Sequence, residues 1–376
     1  MRRTAAVLVV LTAAAPAGAR ETQVAMVRSV RNLSAWHGHL VFSRYDEATK
    51  RWSLVHVARG GEPRLLNVAP QVEPFDADVG PNAAGDPVAV FSRCPSSATP
   101  MPNAYLGFVG RSACRIHEVR LDLPGARDQR VRTIGRSGYS DGAPAIWRGR
   151  IAFARILEDP DGRYKTKVTA LFVQRSAGSR ALVRLARGTV PACATQSKYC
   201  YREALPNSMD LSASRLAFAW HLAGGNAYPQ EDQELWSVPL DGRAGRLLDV
   251  GGAGECGFGG QYSFRSFGTP SIASGRVSYL AYRGDCFLTD TTFTTTGPAP
   301  RTRSDYETHD GVLAWSAARD STGWWWVRGG KVVVRPDGSE SAPCVDAACP
   351  LIHSDRLPLE RVTVKREPQP PVESEH

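Results

Sequence analysis

One pattern of ten residues recurs along this chain and constrains the fold more than any other feature. It reads Pro144-Ala-Ile146-Trp-Arg-Gly149-Arg-Ile151-Ala-Phe153, and again without a gap Pro270-Ser-Ile272-Ala-Ser-Gly275-Arg-Val277-Ser-Tyr279. Looser copies run from Leu33 to Phe42 with Gly38 in the turn, and from Met209 to Phe218 with Ser214-Arg215 there. Another runs from Tyr306 to Trp315 around His309-Asp310-Gly311, and one ending Val88-Ala-Val90-Phe91 carries an extra residue. Each copy describes a short strand, a Gly-containing turn and a second strand that alternates apolar with small residues at period two. Third strands follow at Leu54–Val57, Leu171–Val173 and Leu235–Val238, and closing strands at Pro63–Leu66, Ala181–Val183 and Arg246–Leu248.

Four antiparallel strands make a unit that cannot bury both faces alone, so such units must stack radially. The aromatic markers Phe42, Phe91, Phe153, Phe218, Tyr279 and Trp315 number six. The expectation is an all-β, six-bladed β-propeller with four-stranded antiparallel blades, lengthened by loop insertions in blades two to four. No stretch keeps the 3.6-residue period of a long amphipathic helix. Gln23–Val27 is a strand candidate that would complete the last blade and close the ring.

The layout P-x-I-x-x-G-R-I-A-F followed by L-W-S-V-P-L-D-G and R-L-L resembles the TolB-type propeller repeat, itself similar to other WD-like bacterial repeats. The resemblance covers roughly residues 30–350 and implies a fold more than an activity. Two departures stand out. The Asp-Gly of the family's first turn survives only at Asp310-Gly311, and the α/β domain that precedes the TolB propeller has no counterpart in the few residues before the first copy.

Compartment follows from the first residues and the cysteines. Arg2 and Arg3, the apolar run Ala5–Ala15 and Ala17-Gly18-Ala19 read as a secretory signal over residues 1–19, too short for a membrane span. The expected mature organisation is a propeller over 20–352 and a tail over 353–376, disordered at least from Arg366, where Pro and Glu dominate. Eight cysteines suit an oxidising, extracellular or periplasmic location. The simplest pairing joins neighbours, Cys94–Cys114, Cys193–Cys200, Cys256–Cys286 and Cys344–Cys349, each bracketing one loop. Net charge is +9, with 40 Arg and 6 Lys. These are scattered rather than clustered as a nucleic-acid patch would be, so a nucleic-acid partner is not expected and a monomer is.

Signatures of chemistry are sparse. There is no G-x-S-x-G elbow. His37 and His39 flank Gly38, Asp76-x-Asp78 and Glu158-Asp159-Pro-Asp161-Gly162 offer oxygens to Ca²⁺, and Trp324-Trp325-Trp326 suggests a sugar platform. Turn, solvent or core roles explain each more simply, and neither a metal nor a cofactor is expected. In a propeller the loops before first strands and between second and third strands share one face, which places all four cysteine pairs together. Stapled loops on a rigid scaffold build binding surfaces. Residues just before first strands would line the channel mouth on that face: Tyr139, Asp141, Asn207, Asp210, Arg265, Phe267, Tyr306 and Glu307. They suit a protein, peptide or glycan partner and a non-catalytic role. The alternative is a propeller-type polysaccharide lyase or glycan hydrolase, which would need three or more His, Asp or Glu converging at that mouth.

Overall fold

The computed structural model describes residues 22–26, 30–58, 61–94, 114–134, 140–158, 166–174, 182–187, 200–226, 230–253, 264–284, 289–296, 302–308, 314–321, 323–328 and 331–335. Every regular element among them is a strand. After β1 (Thr22–Met26), the chain lays down successive antiparallel runs. The first comprises β2 (Val30–Trp36), β3 (His39–Asp46), β4 (Arg51–Val57) and β5 (Arg64–Leu65). The second comprises β6 (Asp78–Pro81), β7 (Pro87–Arg93), β8 (Arg115–Arg120) and β9 (Gln129–Arg130). Next come β10 (Asp141–Trp147), β11 (Arg150–Glu158), β12 (Thr166–Gln174) and β13 (Leu182–Arg187). They are followed by β14 (Cys200–Leu211), β15 (Arg215–Asn226), β16 (Gln230–Pro239) and β17 (Arg246–Ala253). Then β18 (Phe264–Phe267) and β19 (Ser271–Ala273) both pair with β20 (Arg276–Gly284), before β21 (Thr289–Thr296) and β22 (Thr302–Thr308). The last run is β23 (Ala314–Asp320), β24 (Gly323–Arg328) and β25 (Lys331–Arg335), completed by β1 lying antiparallel to β25. The expectation of a closing strand over Gln23–Val27 is met by Gln23–Met26, and Val27 lies outside the described residues.

Within each run the first strand is innermost. Inner strands touch in a closed circuit, β2 to β6, β6 to β10, β10 to β14, β14 to β19, β19 to β23 and β23 back to β2. Apolar side chains fill the gaps between runs rather than one central core. Val41, Leu54, Phe75 and Phe91 pack between the first two runs, Val90, Ile146, Ile151 and Phe153 between the next two, and Leu33, Phe42, Ala318 and Trp325 between the last run and the first. Five aromatic markers, Phe42, Phe91, Phe153, Phe218 and Tyr279, sit on second strands and are buried. The result is a propeller of four-stranded antiparallel blades.

Two expectations need correction. Six four-stranded blades were expected, and among the described residues hydrogen bonding joins the strands into four sheets: β2–β5, β6–β9, β23–β25 with β1, and one thirteen-stranded sheet over β10–β22. The runs fuse because strand ends overshoot the blades. Thr166–Val168 of β12 pairs in parallel with Arg202–Ala204 of β14, and Gly252 of β17 lies opposite Arg265 of β18. The last copy of the repeat was also misphased. Its hairpin closes at Asp320 opposite Gly323, so Trp315 falls on the inner strand β23, while Tyr306 and Glu307 lie on β22, paired with β21. Trp325 is buried, as a blade interior predicts.

The repeat's turns have a physical reason for their glycines. His37-Gly38, Arg148-Gly149 and Ser274-Gly275 each have two successive positive φ angles (47°/84°, 48°/74° and 51°/74°), the type I′ geometry that matches strand twist. Gly80 answers a different need, since a Cβ there would run into the Ile146 carbonyl where β6 meets β10.

Candidate functional site

Backbone N–H groups on the inner strands need acceptors, and the preceding inner strand supplies them. Ser34 Oγ on β2 accepts from Val79 N (3.0 Å) and donates to Asp78 Oδ1 (2.7 Å). Asp78 Oδ2 on β6 accepts from Ile146 N of β10 at 2.9 Å. On β14, Asp210 accepts from Ile272 N of β19. Ser271 Oγ accepts from Arg319 N of β23 at 3.0 Å, and Asp320 Oδ2 accepts from Gly38 N at 2.6 Å, which returns the circuit to the first run. Among the described residues, side-chain oxygens thus clasp five of the junctions between inner strands. Asp76 adds a clasp of its own, accepting from Ser92 N (2.7 Å), Ser92 Oγ (2.6 Å) and Ala143 N (2.6 Å).

These carboxyls pay an electrostatic cost. Burial pushes Asp78 up to about 7, against hydrogen bonds from Ile146, Ser34 and Val79 that favour the charged form. Burial likewise raises Asp76, and burial followed by the nearby Asp78 charge raises Asp210 well above the carboxylate range. Asp76-x-Asp78, considered for Ca²⁺, therefore has its oxygens engaged by backbone donors and serves to hold runs together.

At the mouth, Asp141 begins β10 and is buried against Arg155 in a two-pronged pair, Nε to Oδ1 at 2.6 Å and Nη2 to Oδ2 at 2.8 Å. Thr133 Oγ1 donates to the same carboxylate at 2.7 Å. The Arg155 guanidinium in turn lies over Phe153 and Phe172, 5.1 and 5.6 Å from their centroids. The Cys94–Cys114 disulfide is formed beside this pair, with Cys114 O accepting from Asp141 N at 3.2 Å. Its position near the start of β10 puts it on the expected face. Cys193, Cys256, Cys286, Cys344 and Cys349 lie outside the described residues, and Cys200 begins β14.

The expected rim residues do not converge as a set. Asp141 and Asp210 are engaged as above, and Phe267 is a core residue set edge-on to Tyr279 (centroids 5.7 Å apart). Asn207 lies on β14, nearer its Leu211 end than its Cys200 end, and Arg265 lies on β18. Tyr306 and Glu307 belong to the far strand β22, and Tyr139 lies outside the described residues. No group of three or more His, Cys, Asp or Glu that could hold a metal occurs among the described residues.

A histidine pair was only half foreseen. His37 is exposed on its turn, but His39 Nδ1 meets His56 Nε2 at 3.0 Å. The rings are 12° from parallel with centroids 5.2 Å apart, the arrangement of two coplanar imidazoles sharing one N–H···N bond edge to edge. Burial, then Arg64 and His39, hold His56 down to about 3, so the pair is neutral. His56 carries no motif, and only its pairing with β3 brings it to His39.

No family model and no curated protein matches the chain. Among solved structures, it is similar to the Pyrococcus horikoshii acylaminoacyl peptidase at 9% identity and TM-score 0.42, over 83% of this chain and 51% of that one. The chain thus spans about half the length of that peptidase. It is also similar to the β-propeller domain of the Trilobed protease from Pyrococcus furiosus (8% identity, TM-score 0.42, 84% and 97% covered). A third is a glycosyl hydrolase from Bacteroides ovatus (11% identity, TM-score 0.34, 85% and 96% covered). Likenesses this distant leave activity open. Among the described residues, no helix is long and apolar enough to cross a membrane. By its own strand order and closure, the chain is an all-β propeller of four-stranded antiparallel blades, one of whose loops is stapled by a disulfide.

Proposed function

We propose that this chain is a six-bladed, exported propeller that holds a protein, peptide or glycan partner on its cysteine-bearing face without catalysis. The count of six is supported by the closed circuit of inner strands and the β1–β25 closure. Export is supported by the leader-like first residues and the Cys94–Cys114 bond.

The observation that carries the binding reading is the overshoot of strands on one face. β14 and β15 reach 12 residues and β16 reaches 10, against a usual length of about 5–6. At their ends on this side β14 pairs laterally into β12 and β17 into β18, joining neighbouring runs into one wall on the side where Cys94–Cys114 stands. A rigid wall beside a stapled loop preorganises a surface for a partner. The buried carboxyls of the ring are engaged by backbone donors, which suits structure better than turnover.

Binding of the purified full chain to glycan and peptide arrays tests this, followed by Asn207→Ala with Arg265→Ala. A ligand lost in the double variant at unchanged melting temperature supports the reading. Polysaccharide cleavage by the parent protein, or a bound ligand indifferent to the double variant, overturns it.

A further inference from the structure

Antiparallel runs put the first-to-second and third-to-fourth turns on the face opposite the cysteine loops. This turn face is built flat. His37-Gly38, Arg148-Gly149 and Ser274-Gly275 are two-residue turns, and Asp320 closes directly onto Gly323. Its charge is one-sided over β10–β20. Arg148, Arg150 and Arg276 are exposed, and none pairs with a carboxylate among the described residues. Arg150 Nη1 reaches only the Ala213 carbonyl, at 2.8 Å. Arg148 occupies a turn position with φ 48°, where Asn, Asp or Gly is favoured and a side chain this bulky is uncommon.

Acids on this face are mostly answered. Asp86 and Asp122 both pair with Arg120 (2.8 and 2.5 Å), Asp241 pairs with Arg243 at 3.1 Å, and Asp320 is buried on Gly38 N. Glu62 is the exposed acid there without a cation among the described residues.

A second, independent feature lies on the same face. Of the four exposed large apolar side chains among the described residues, three stand at third-to-fourth turns or just past them: Leu65 (54% exposed), Leu123 (50%) and Leu247 (40%). Leu123 tops a turn closed by Ala126 N to its carbonyl. Each belongs to a different run, so they fringe the face rather than form a groove. Arg148 and Arg150 flank one turn, whereas Arg276 stands two runs away, more than the roughly 10 Å spacing of packed sheets. A single small anion cannot bridge all three, but a planar array of anionic headgroups can.

We propose that the turn face is a peripheral docking surface for an anionic phospholipid bilayer, with Arg148, Arg150 and Arg276 at headgroup phosphates and Leu65, Leu123 and Leu247 at the acyl boundary. Basic side chains close to an anionic surface, fringed by leucines, give reversible adsorption rather than insertion. The cysteine-bearing face then points away from the bilayer, toward soluble partners.

Co-sedimentation of the full chain with phosphatidylglycerol–phosphatidylcholine vesicles, against pure phosphatidylcholine vesicles, is the test. Binding to the anionic vesicles alone is expected, weakening steeply as salt shortens the Debye length. The combined Arg148→Ser, Arg150→Ser and Arg276→Ser variant loses about five-fold per arginine, on the order of a hundred-fold in all. Leu123→Ser weakens binding while leaving its salt dependence unchanged. Circular dichroism melts confirm that these surface variants fold. Absent vesicle binding, a triple variant that binds like the parent, or equal competition by polyphosphate in solution with no vesicle preference would each overturn the proposal. None of these outcomes touches the binding reading, which concerns the other face.

Discussion

Replacing Asp78 by Asn should make the protein more stable at neutral and alkaline pH, although it removes a hydrogen-bonded carboxylate. In the folded chain Asp78 titrates at about 7, against 3.8 ordinarily, because burial opposes its charge. Between those values the unfolded chain has released the proton while the folded chain retains it, so stability falls as pH rises from about 4 to about 7. A shift of about three units corresponds to roughly 4 kcal/mol, an upper figure because Asp210 responds to the same charge. Asn keeps the clasp, since its carbonyl can accept from Ile146 N and its amide can donate to Ser34 Oγ. At pH 4 variant and parent should differ little. At pH 8 the variant should gain about 2–4 kcal/mol, or roughly 3–5 °C in melting temperature from an unfolding entropy of about 2 cal/mol/K per residue. His56 is held down to about 3 and gives the opposite slope between about 3 and 6.5, so the comparison is between variant and parent at each pH, by calorimetry or urea titration. A variant destabilised equally at pH 4 and pH 8 would refute the reasoning, because it would mean that the clasp needs geometry Asn cannot supply.

Removing Arg155 by Arg155→Ala strands the buried Asp141 carboxylate and should cost about 3–5 kcal/mol, while Asp141→Asn with Arg155→Met should cost clearly less; urea midpoints decide it. Phe153→Ala opens a cavity between two runs and should cost about 3–5 kcal/mol, read the same way. His56→Gln should flatten the loss of stability between about pH 6 and pH 3, since it removes the imidazole whose protonation burial opposes; melting temperatures across that range check it. Non-reducing peptide mapping should recover Cys94 joined to Cys114, and reduction should lower stability by about 2–4 kcal/mol for a loop of 20 residues.

The hairpin was legible because its determinants are local. Gly38, Gly149 and Gly275 fall where positive φ is needed, and the aromatic four residues on falls where a second strand turns inward, so markers such as Phe153 and Tyr279 landed in the core. The last copy misled for the same reason. Asp310-Gly311 looks like the family's turn, whereas the hairpin is made by Asp320 and Gly323, which resemble the repeat less. The clasps were invisible in sequence. Ser34, Asp210 and Ser271 share one repeat position, eight residues before the markers Phe42, Phe218 and Tyr279, but Asp78 and Asp320 break that spacing, and the backbone partners lie between 45 and 282 residues away, so only the closed ring defines them. Strand overshoot was likewise hidden, because the added pairs of β12 with β14 cross between runs. Site residues suffered most. A rim position says where a side chain starts, not whether a neighbour such as Arg155 has already claimed it.

The pairing of β1 with β25 also sets how the molecule responds to force. Thr22 stands opposite Val334 and Met26 opposite Lys331, so the outward ends of both strands lie at the same end of the ladder. Tension applied at Thr22 and Arg335 therefore loads the inter-strand bonds one after another, not all in parallel. The ladder should yield as a zipper, at low force, even though every other blade is made of strands adjacent in sequence. Five residues hold the seam, and relaxing after such a pull means finding again a contact that spans almost the whole described chain, the slowest kind of encounter for a polypeptide.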